Sequence, residues 1–299
     1  MQIGLFITHA NSLLGADLSG LLDIAATIDR AGIDYITVAD HVLLGADLDG
    51  HGALGGGALA YPPDEPYPDP LITLAAIAAV TTRVRLATGV LIAPLRSAPV
   101  LAKSAATLAV ISRGRLDLGV GTGWQQAEYD AVDVPMSGKA ARMDDTMAAC
   151  QSLWRSASAS YQSPTVSFAD LCCSPRPPGG DIPLWFAGQP IGPTLRRVVS
   201  MGAGWLPLRP LEPDDARRVR LDLATACGAA ERDPRSVQVR MPMPVLRDRR
   251  DEVDFETMAE RIGELAEAGV DGVHLTLRDV VRRTDELTDT LTRLGALSS

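Results

Sequence analysis

Along this chain, short β-rich runs are followed, almost without interruption, by amphipathic helical segments. Strand-forming runs occur at 2 to 7 (QIGLFI), 34 to 39 (DYITVA), 84 to 92 (VRLATGVLI) and 115 to 120 (RLDLGV). Four more follow at 183 to 188 (PLWFAG), 203 to 208 (AGWLPL), 237 to 243 (VQVRMPM) and 272 to 277 (GVHLTL). Between them lie helical patterns such as 21 to 32, 99 to 114 and 255 to 269, each closing on Ala-Gly or Arg-Gly, a common helix C-terminus. Strands that alternate with helices build a parallel sheet. Eight such units in 299 residues predict an α/β fold, a (β/α)8 TIM barrel, as one domain over 1–299. A doubly wound open sheet is the competing architecture, weakened because the first strand carries no glycine fingerprint.

Two segments break the rhythm. Residues 45 to 70, rich in Gly, Pro and Asp, form a long loop after the second strand. On a barrel such a loop overlies the mouth where active sites are built, and it reads as a lid, with an inert insertion as the alternative. Residues 156 to 181, an insertion before the fifth strand, read as a loop with one short hairpin and carry no assigned chemistry.

Charge and composition narrow the partners. The formal net charge of −9 argues against nucleic acid, since a phosphate backbone calls for a concentrated basic surface. The longest apolar run, LITLAAIAAV at 71 to 80, is too short to span a bilayer. The start of the chain, MQIGLFITHANS, shows no basic leader with an apolar stretch and cleavage site. Four cysteines, Cys150, Cys172, Cys173 and Cys227, lack C-x-x-C spacing, which fits a reducing cytoplasm and no structural metal. The expected partner is a small-molecule substrate, with neither nucleic acid nor membrane.

The run GRLDLGVGTGW at 114 to 124 raises the question of phosphate binding. It fails the dinucleotide fingerprint, because the third glycine would stand where the chain has Trp124, and no Gly-Lys-Ser/Thr follows to make a P-loop. On a barrel the same glycines sit at the mouth after the fourth strand. Other strand ends bring Asp40-His41, Gly89-Val90 through Arg96, and Ala187-Gly188-Gln189-Pro190 to the same face. His41 is the candidate for proton chemistry, because imidazole titrates near neutrality and the adjacent Asp40 carboxylate can set its tautomer. In the alternative, Asp40 caps a turn and His41 is merely packed. His9 and His274 read as structural, His51 falls in the long loop, and Arg96, Arg209 and Arg278 read as anion contacts or, more commonly for such residues, surface or ion-pair residues.

These motifs resemble the bacterial luciferase-like superfamily, and most closely its branch of coenzyme F420-dependent oxidoreductases. The resemblance rests on ADH (39 to 41), the stretch TGVLIAPLRSAPVLAKSAATLAVISRGRLDLGVGTGW (88 to 124), FAGQP (186 to 190) and GAGWLPL (202 to 208), in that order. It implies a barrel whose mouth holds a deazaflavin ring, with Asp40 and His41 near the reacting edge. Gly89-Val90 would form a non-prolyl cis peptide backing the ring. Gly121, Thr122, Gly123 and Trp124 would wrap the ribityl-phosphate portion, and Ala187, Gly188 and Gln189 would offer backbone N–H groups at a helix start. The chain departs from its relatives at Lys103-Ser104, Gly188-Gln189 and Ala203-Gly204-Trp205, where they commonly read Lys-Glu, Gly-Gly and Asp-Gly-Trp.

The expected activity is therefore hydride transfer between coenzyme F420 and a small organic substrate, with His41 as proton donor or acceptor. An FMN-dependent luciferase-like monooxygenase and a non-catalytic flavin-binding homologue are the alternatives. The resemblance also implies a homodimer.

Overall fold

The computed structural model describes residues 1–8, 10–15, 17–45 and 66–298. His9, His51 and most of the expected lid lie outside the described residues.

Eleven strands are formed by the described residues: β1 (Gln2–Phe6), β2 (Tyr35–Val38), β3 (Arg85–Thr88), β4 (Leu91–Ile92), β5 (Leu116–Gly121), β6 (Ala159–Gln162), β7 (Ser167–Leu171), β8 (Leu184–Ala187), β9 (Gly204–Leu206), β10 (Gln238–Pro242) and β11 (Gly272–Thr276). The parallel order β3-β2-β1-β11-β10-β9-β8-β5 closes through pairing of β3 with β5, at Leu86 with Leu116 and Ala87 with Asp117. This is the eight-stranded barrel read from the alternation. The hairpin expected in the insertion is present as the antiparallel pair of β6 and β7.

The third expected strand is two pieces. Between β3 and β4 the peptide Gly89–Val90 is cis, as the resemblance implied, and the chain bulges there. β5 bridges the break, pairing with β3 below it and with β4 above it, at Leu91 with Val120 and Ile92 with Gly121. The periodicity of VRLATGVLI shows only continuous β preference, so the interruption was invisible to it.

Side chains alternate across the barrel wall as strand geometry requires. Outward positions are aliphatic or aromatic and fully buried against the helices: Ile3 and Leu5 on β1, Leu116, Leu118 and Val120 on β5, Val273 and Leu275 on β11. The helices return a matching stripe. In Leu21–Arg30 the buried residues Leu21, Ile24, Ala25 and Ile28 recur at the three- and four-residue spacing of one helical face. The main core thus lies between sheet and helices. The inward positions differ, with Tyr35 and Thr37, Asp117 and Gly119, Trp185 and Ala187, Arg240, and His274 all bordering an internal cavity. Barrel interiors usually fill with branched aliphatic residues; this one is polar, aromatic and partly open.

The helix ends follow their sequence signals. Gly32, Gly114 and Gly269 each adopt a positive φ just past a helix. Asp69 caps Pro70–Val80, accepting hydrogen bonds from the Leu71 and Ile72 backbone N–H groups, with Pro70 in the first turn.

Candidate active site

The internal cavity encloses about 320 Å³, and runs from inward positions low on the strands to the residues just past their carboxyl ends. Of the expected site residues, Gly89, Val90 and Ala187 line it. Asp40, His41, Gly121, Thr122, Gly123, Trp124, Gly188 and Gln189 do not, and stand instead at or just beyond the carboxyl ends of β2, β5 and β8.

Asp40 is buried, and both its oxygens are engaged. Arg96 binds it bidentately, Nη1 to Oδ2 at 2.5 Å and Nη2 to Oδ1 at 2.9 Å, while the Ile92 N–H donates to Oδ2 at 2.8 Å. Arg96 also reaches the helix-capping Asp69 at 3.1 Å. Burial alone would lower the Arg96 guanidinium, but the Asp40 hydrogen bonds and charge outweigh it and hold its pKa above the ordinary arginine value. This planar two-bond pairing ties the end of β2 to the segment after β4. Asp40 is thus placed to fix the bulge rather than to orient the imidazole, and Arg96 is its partner.

The carboxylate that orients His41 is Glu128, a residue the sequence reading did not select. His41 Nδ1 lies 3.0 Å from Glu128 Oε2, and the Val42 N–H donates to Oε1 at 2.5 Å. Glu128 is 1% exposed and projects from the short helix Gln126–Ala131 that follows β5. The neighbouring Gln125 clamps the same loop, donating to the Leu43 carbonyl and accepting from the Gly45 N–H, both at 2.8 Å. Tyr67 and Trp124 pack edge-on around His41, with ring centroids at 5.2 and 5.7 Å. A carboxylate on Nδ1 keeps the ring proton there, so Nε2 is the nitrogen available for proton exchange.

The glycines of GRLDLGVGTGW answer first to packing. A Cβ on Gly119 would fall 2.0 Å from the Thr88 carbonyl oxygen, and one on Gly121 would fall 2.6 Å from a Val90 methyl. Their absence lets β5 lie against the bulged strand. Beyond them the Thr122 carbonyl accepts from Tyr129 Oη at 2.5 Å and the Gly123 carbonyl from Lys139 Nζ at 2.7 Å. Burial lowers the Lys139 ammonium pKa below the ordinary lysine value, and raises the Tyr129 phenol to about 12.

After β8 the expected donor array is reduced. The Gly188 N–H donates to the Leu206 carbonyl at 3.3 Å, and its own carbonyl accepts from Trp205 Nε1 at 2.9 Å. The next helix, Gly192–Met201, begins only after Ile191. Gly188 is therefore committed to the neighbouring strand rather than to a helix start.

Residues 1–289 match the family model described as luciferase-like monooxygenase. The chain belongs to the luciferase-like family. It is 29% identical over 239 residues to the Mycobacterium tuberculosis protein Rv0953c, covering 78% of each. It is 28% identical over 256 residues to a phthiodiolone/phenolphthiodiolone dimycocerosates ketoreductase of M. tuberculosis, covering 83% of this chain and 66% of that one. Among solved structures, a riboflavin lyase with modified FMN and riboflavin superposes with TM-score 0.82 at 17% identity, covering 100% of this chain and 92% of the other. An F420-dependent secondary alcohol dehydrogenase holding an F420-acetone adduct gives 0.76 at 15%, covering 99% and 98%. At such identities the structural likeness establishes the shared barrel.

Within this luciferase-like chain, Glu128, Asp117 and Arg240 are the functional candidates that motif reading passed over, while Arg96 takes the ion-pair role read for it. Asp117 carried a signal, being a charge at an inward position of the strand LDLGVG. Glu128 carried none, since its role depends on where the helix after β5 folds back. The four cysteines are free, with only Cys172 exposed. No group of three His, Cys, Asp or Glu able to hold a metal occurs among the described residues, and none of their helices is long and apolar enough to cross a membrane.

Proposed function

We propose that this luciferase-like protein is a coenzyme F420-dependent oxidoreductase of the cytoplasm, transferring a hydride between the deazaflavin and a small organic substrate as a homodimer. The observation that carries the reading is the His41–Glu128 pair, a general acid–base group held by a buried carboxylate beside the barrel mouth. The cavity fits a flat organic ring: its walls are largely apolar, with Val90, Leu206, Leu208 and Met243 near the mouth and a few polar groups below, the usual make-up of a cofactor site. When bound, the deazaflavin supplies two-electron chemistry, because it has carbon where a flavin has its reactive N5.

The chain's own residues do the rest. Gly89 and Val90 line the cavity and would back the ring, and Arg96 and Asp40 hold that wall to the end of β2. Gly121, Thr122, Gly123 and Trp124, with Ala187, Gly188 and Gln189, lie at the ends of β5 and β8 and would hold the cofactor tail. His41 gives a proton to a substrate oxygen, or takes one from it, at Nε2, while Glu128 keeps Nδ1 protonated. Proton transfer must accompany hydride transfer when a carbonyl and an alcohol interconvert, and a relative named a ketoreductase and a neighbour named an alcohol dehydrogenase accord with that reading. FMN-dependent oxygen chemistry is the second reading, favoured by the FMN-containing neighbour and the family's description.

Fluorescence titration of the purified protein with coenzyme F420 and, separately, with FMN decides between them. Tight binding of FMN alone overturns the F420 assignment, and binding of neither leaves a non-catalytic homologue. His41→Asn should keep cofactor affinity and slow turnover about 100-fold or more, the usual contribution of a positioned acid–base group. Unchanged turnover removes His41 from the mechanism. Sedimentation velocity reads the assembly.

A further inference from the structure

The two walls of the cavity differ in chemistry. In the closed strand order β3-β2-β1-β11-β10-β9-β8-β5, β2, β1 and β11 stand across the barrel from β9, β8 and β5, since opposite walls of an eight-stranded barrel are four strands apart. Above the Asp117 carboxylate, the second of these walls presents Gly119, Trp185, Ala187 and Leu206, whose one polar side-chain atom, Trp185 Nε1, is sealed in the wall. The first wall presents Thr37 and Thr276, both in register with Phe6, and below them His274, in register with Gly4. Two glycines shape it. A Cβ on Gly4 would fall 2.2 Å from the Tyr35 ring, so that ring lies across β1 and meets His274 edge-on, with centroids 6.4 Å apart. A Cβ on Gly89 would fall 2.3 Å from Thr37 Oγ1, so the glycine leaves that hydroxyl uncovered.

The charged groups bordering the cavity bond to their neighbours. Asp117 accepts from Arg240 at 2.7 Å and from Arg85 at 2.6 and 2.8 Å, and Arg240 Nε donates to Gln2 Oε1 at 2.9 Å. On the first wall the groups left open are neutral. Both ring nitrogens of His274 and the hydroxyls of Thr37 and Thr276 have no hydrogen-bond partner among the described residues, and none of them is closed off from solvent, as Tyr35 Oη and Trp185 Nε1 are. Thr276 stands at the N-cap of the helix Leu277–Val280 without a side-chain capping bond. Burial, reinforced by the Arg240 charge, pushes His274 down to about 4, so at neutral pH its ring offers one N–H donor and one nitrogen acceptor.

We propose that this wall recognises an uncharged edge that both donates and accepts hydrogen bonds: a hydroxyl, an amide or an imide carried on an apolar body. One His274 nitrogen donates to the ligand's oxygen and the other accepts from its O–H or N–H. The Thr37 and Thr276 hydroxyls, able to do either, serve the remaining positions, and Val90, Leu206 and Leu208 receive the apolar body. A carboxylate cannot donate to the imidazole acceptor, and an ammonium cannot accept from its N–H. Either ion would also bring its charge out of water to groups that are neutral. His274 thus binds the ligand inside the cavity, while His41 exchanges protons at the mouth. This recognition deepens the hydride-transfer reading and rests on it for the two sources of such an edge: a substrate alcohol, or the imide edge of the bound ring.

The test begins without cofactor. Benzamide, benzoate and benzylammonium are titrated into the full chain labelled with ¹⁵N-histidine, and the His274 ring nitrogens, assigned by their loss in His274→Phe, are followed by long-range ¹H–¹⁵N correlation. Benzamide should shift both nitrogens and bind about tenfold or more tightly than either ion. His274→Phe should weaken benzamide about tenfold, and Thr276→Val, which keeps the side chain's shape, about threefold, the range of one or two neutral hydrogen bonds. Should His274→Phe not fold, the wild-type shifts and Thr276→Val carry the test. Benzamide that binds no more tightly than benzoate, fails to bind in the millimolar range, leaves the His274 nitrogens unmoved or is indifferent to either substitution overturns the proposal. Repeating the titration with saturating coenzyme F420, or FMN, identifies the source: benzamide that still shifts His274 assigns the wall to substrate, and a cofactor that shifts His274 and displaces benzamide assigns it to the ring edge. Failure of both cofactors to bind refutes the oxidoreductase reading and leaves the cofactor-free titration fully readable.

Discussion

Replacing Glu128 with Gln tests the acid–base pair at its least replaceable point. The carboxylate accepts twice, from the Val42 N–H at 2.5 Å and from His41 Nδ1 at 3.0 Å, whereas an amide can accept only at its oxygen and must donate at its nitrogen. If the amide oxygen faces Val42, the NH₂ faces Nδ1, and the imidazole proton moves to Nε2. If the amide is flipped, two N–H groups oppose each other at Val42. The first arrangement satisfies every group, so the variant should fold with the wrong tautomer, its Nε2 no longer able to take a proton. A hydrogen bond to a charged group is worth about 1.5–3 kcal/mol, so the tautomer that Glu128 no longer favours predicts a loss of about 10- to 100-fold in kcat for the proposed alcohol oxidation, at 1.4 kcal/mol per tenfold. Cofactor affinity should stay within twofold, because no cavity-lining residue changes. Long-range ¹H–¹⁵N correlation of the imidazole reads the tautomer directly, and stopped-flow deazaflavin absorbance reads the rate. The reasoning is refuted if wild type and Glu128→Gln show the same tautomer, or if the tautomer switches and the rate does not.

Two further outcomes follow from the buried charges. Arg96→Ala strips the bidentate partner from Asp40, whose residue is 3% exposed, and leaving a buried charge uncompensated costs about 3–5 kcal/mol; urea denaturation should show a loss of at least about 2 kcal/mol after some water entry. A loss below about 1 kcal/mol would mean that Asp40 is already solvated. His274 is neutral when folded, with its pKa lowered from 6.5 to about 4, so the unfolded chain binds the extra proton first. Its contribution should therefore be constant above pH 6.5, decline as pH falls towards about 4, and reach at most about 3 kcal/mol at 1.36 kcal/mol per unit. The pH dependence of stability of wild type minus that of His274→Phe isolates it. A flat difference curve between pH 4 and 6.5 would show that cavity water solvates the imidazolium.

The alternation of strand runs and helices dictated the barrel. Eight strand runs with intervening apolar stripes leave few ways to bury every face, and the outward positions of β1, β5 and β11 carry that instruction locally in their alternation. It also determined which strand ends would meet, because a parallel barrel delivers all of them to one face; Asp40-His41, Gly89-Val90 and the glycines after β5 were legible for that reason. How the side chains on that face pair depended on the closed barrel. Adjacency in sequence suggested Asp40 for His41, yet consecutive residues leaving a strand point apart, and Asp40 turned to Arg96, 56 positions away, while Glu128, 87 positions away, came to the imidazole. The glycines of GRLDLGVGTGW failed the phosphate-loop patterns in isolation, and only the closed barrel shows Gly119 and Gly121 packed against the bulged strand beside them. The polar interior was half legible: Asp117 and Arg240 stand at inward positions of their strands, but their ion pair, shared with Arg85, exists only once eight strands have closed around it.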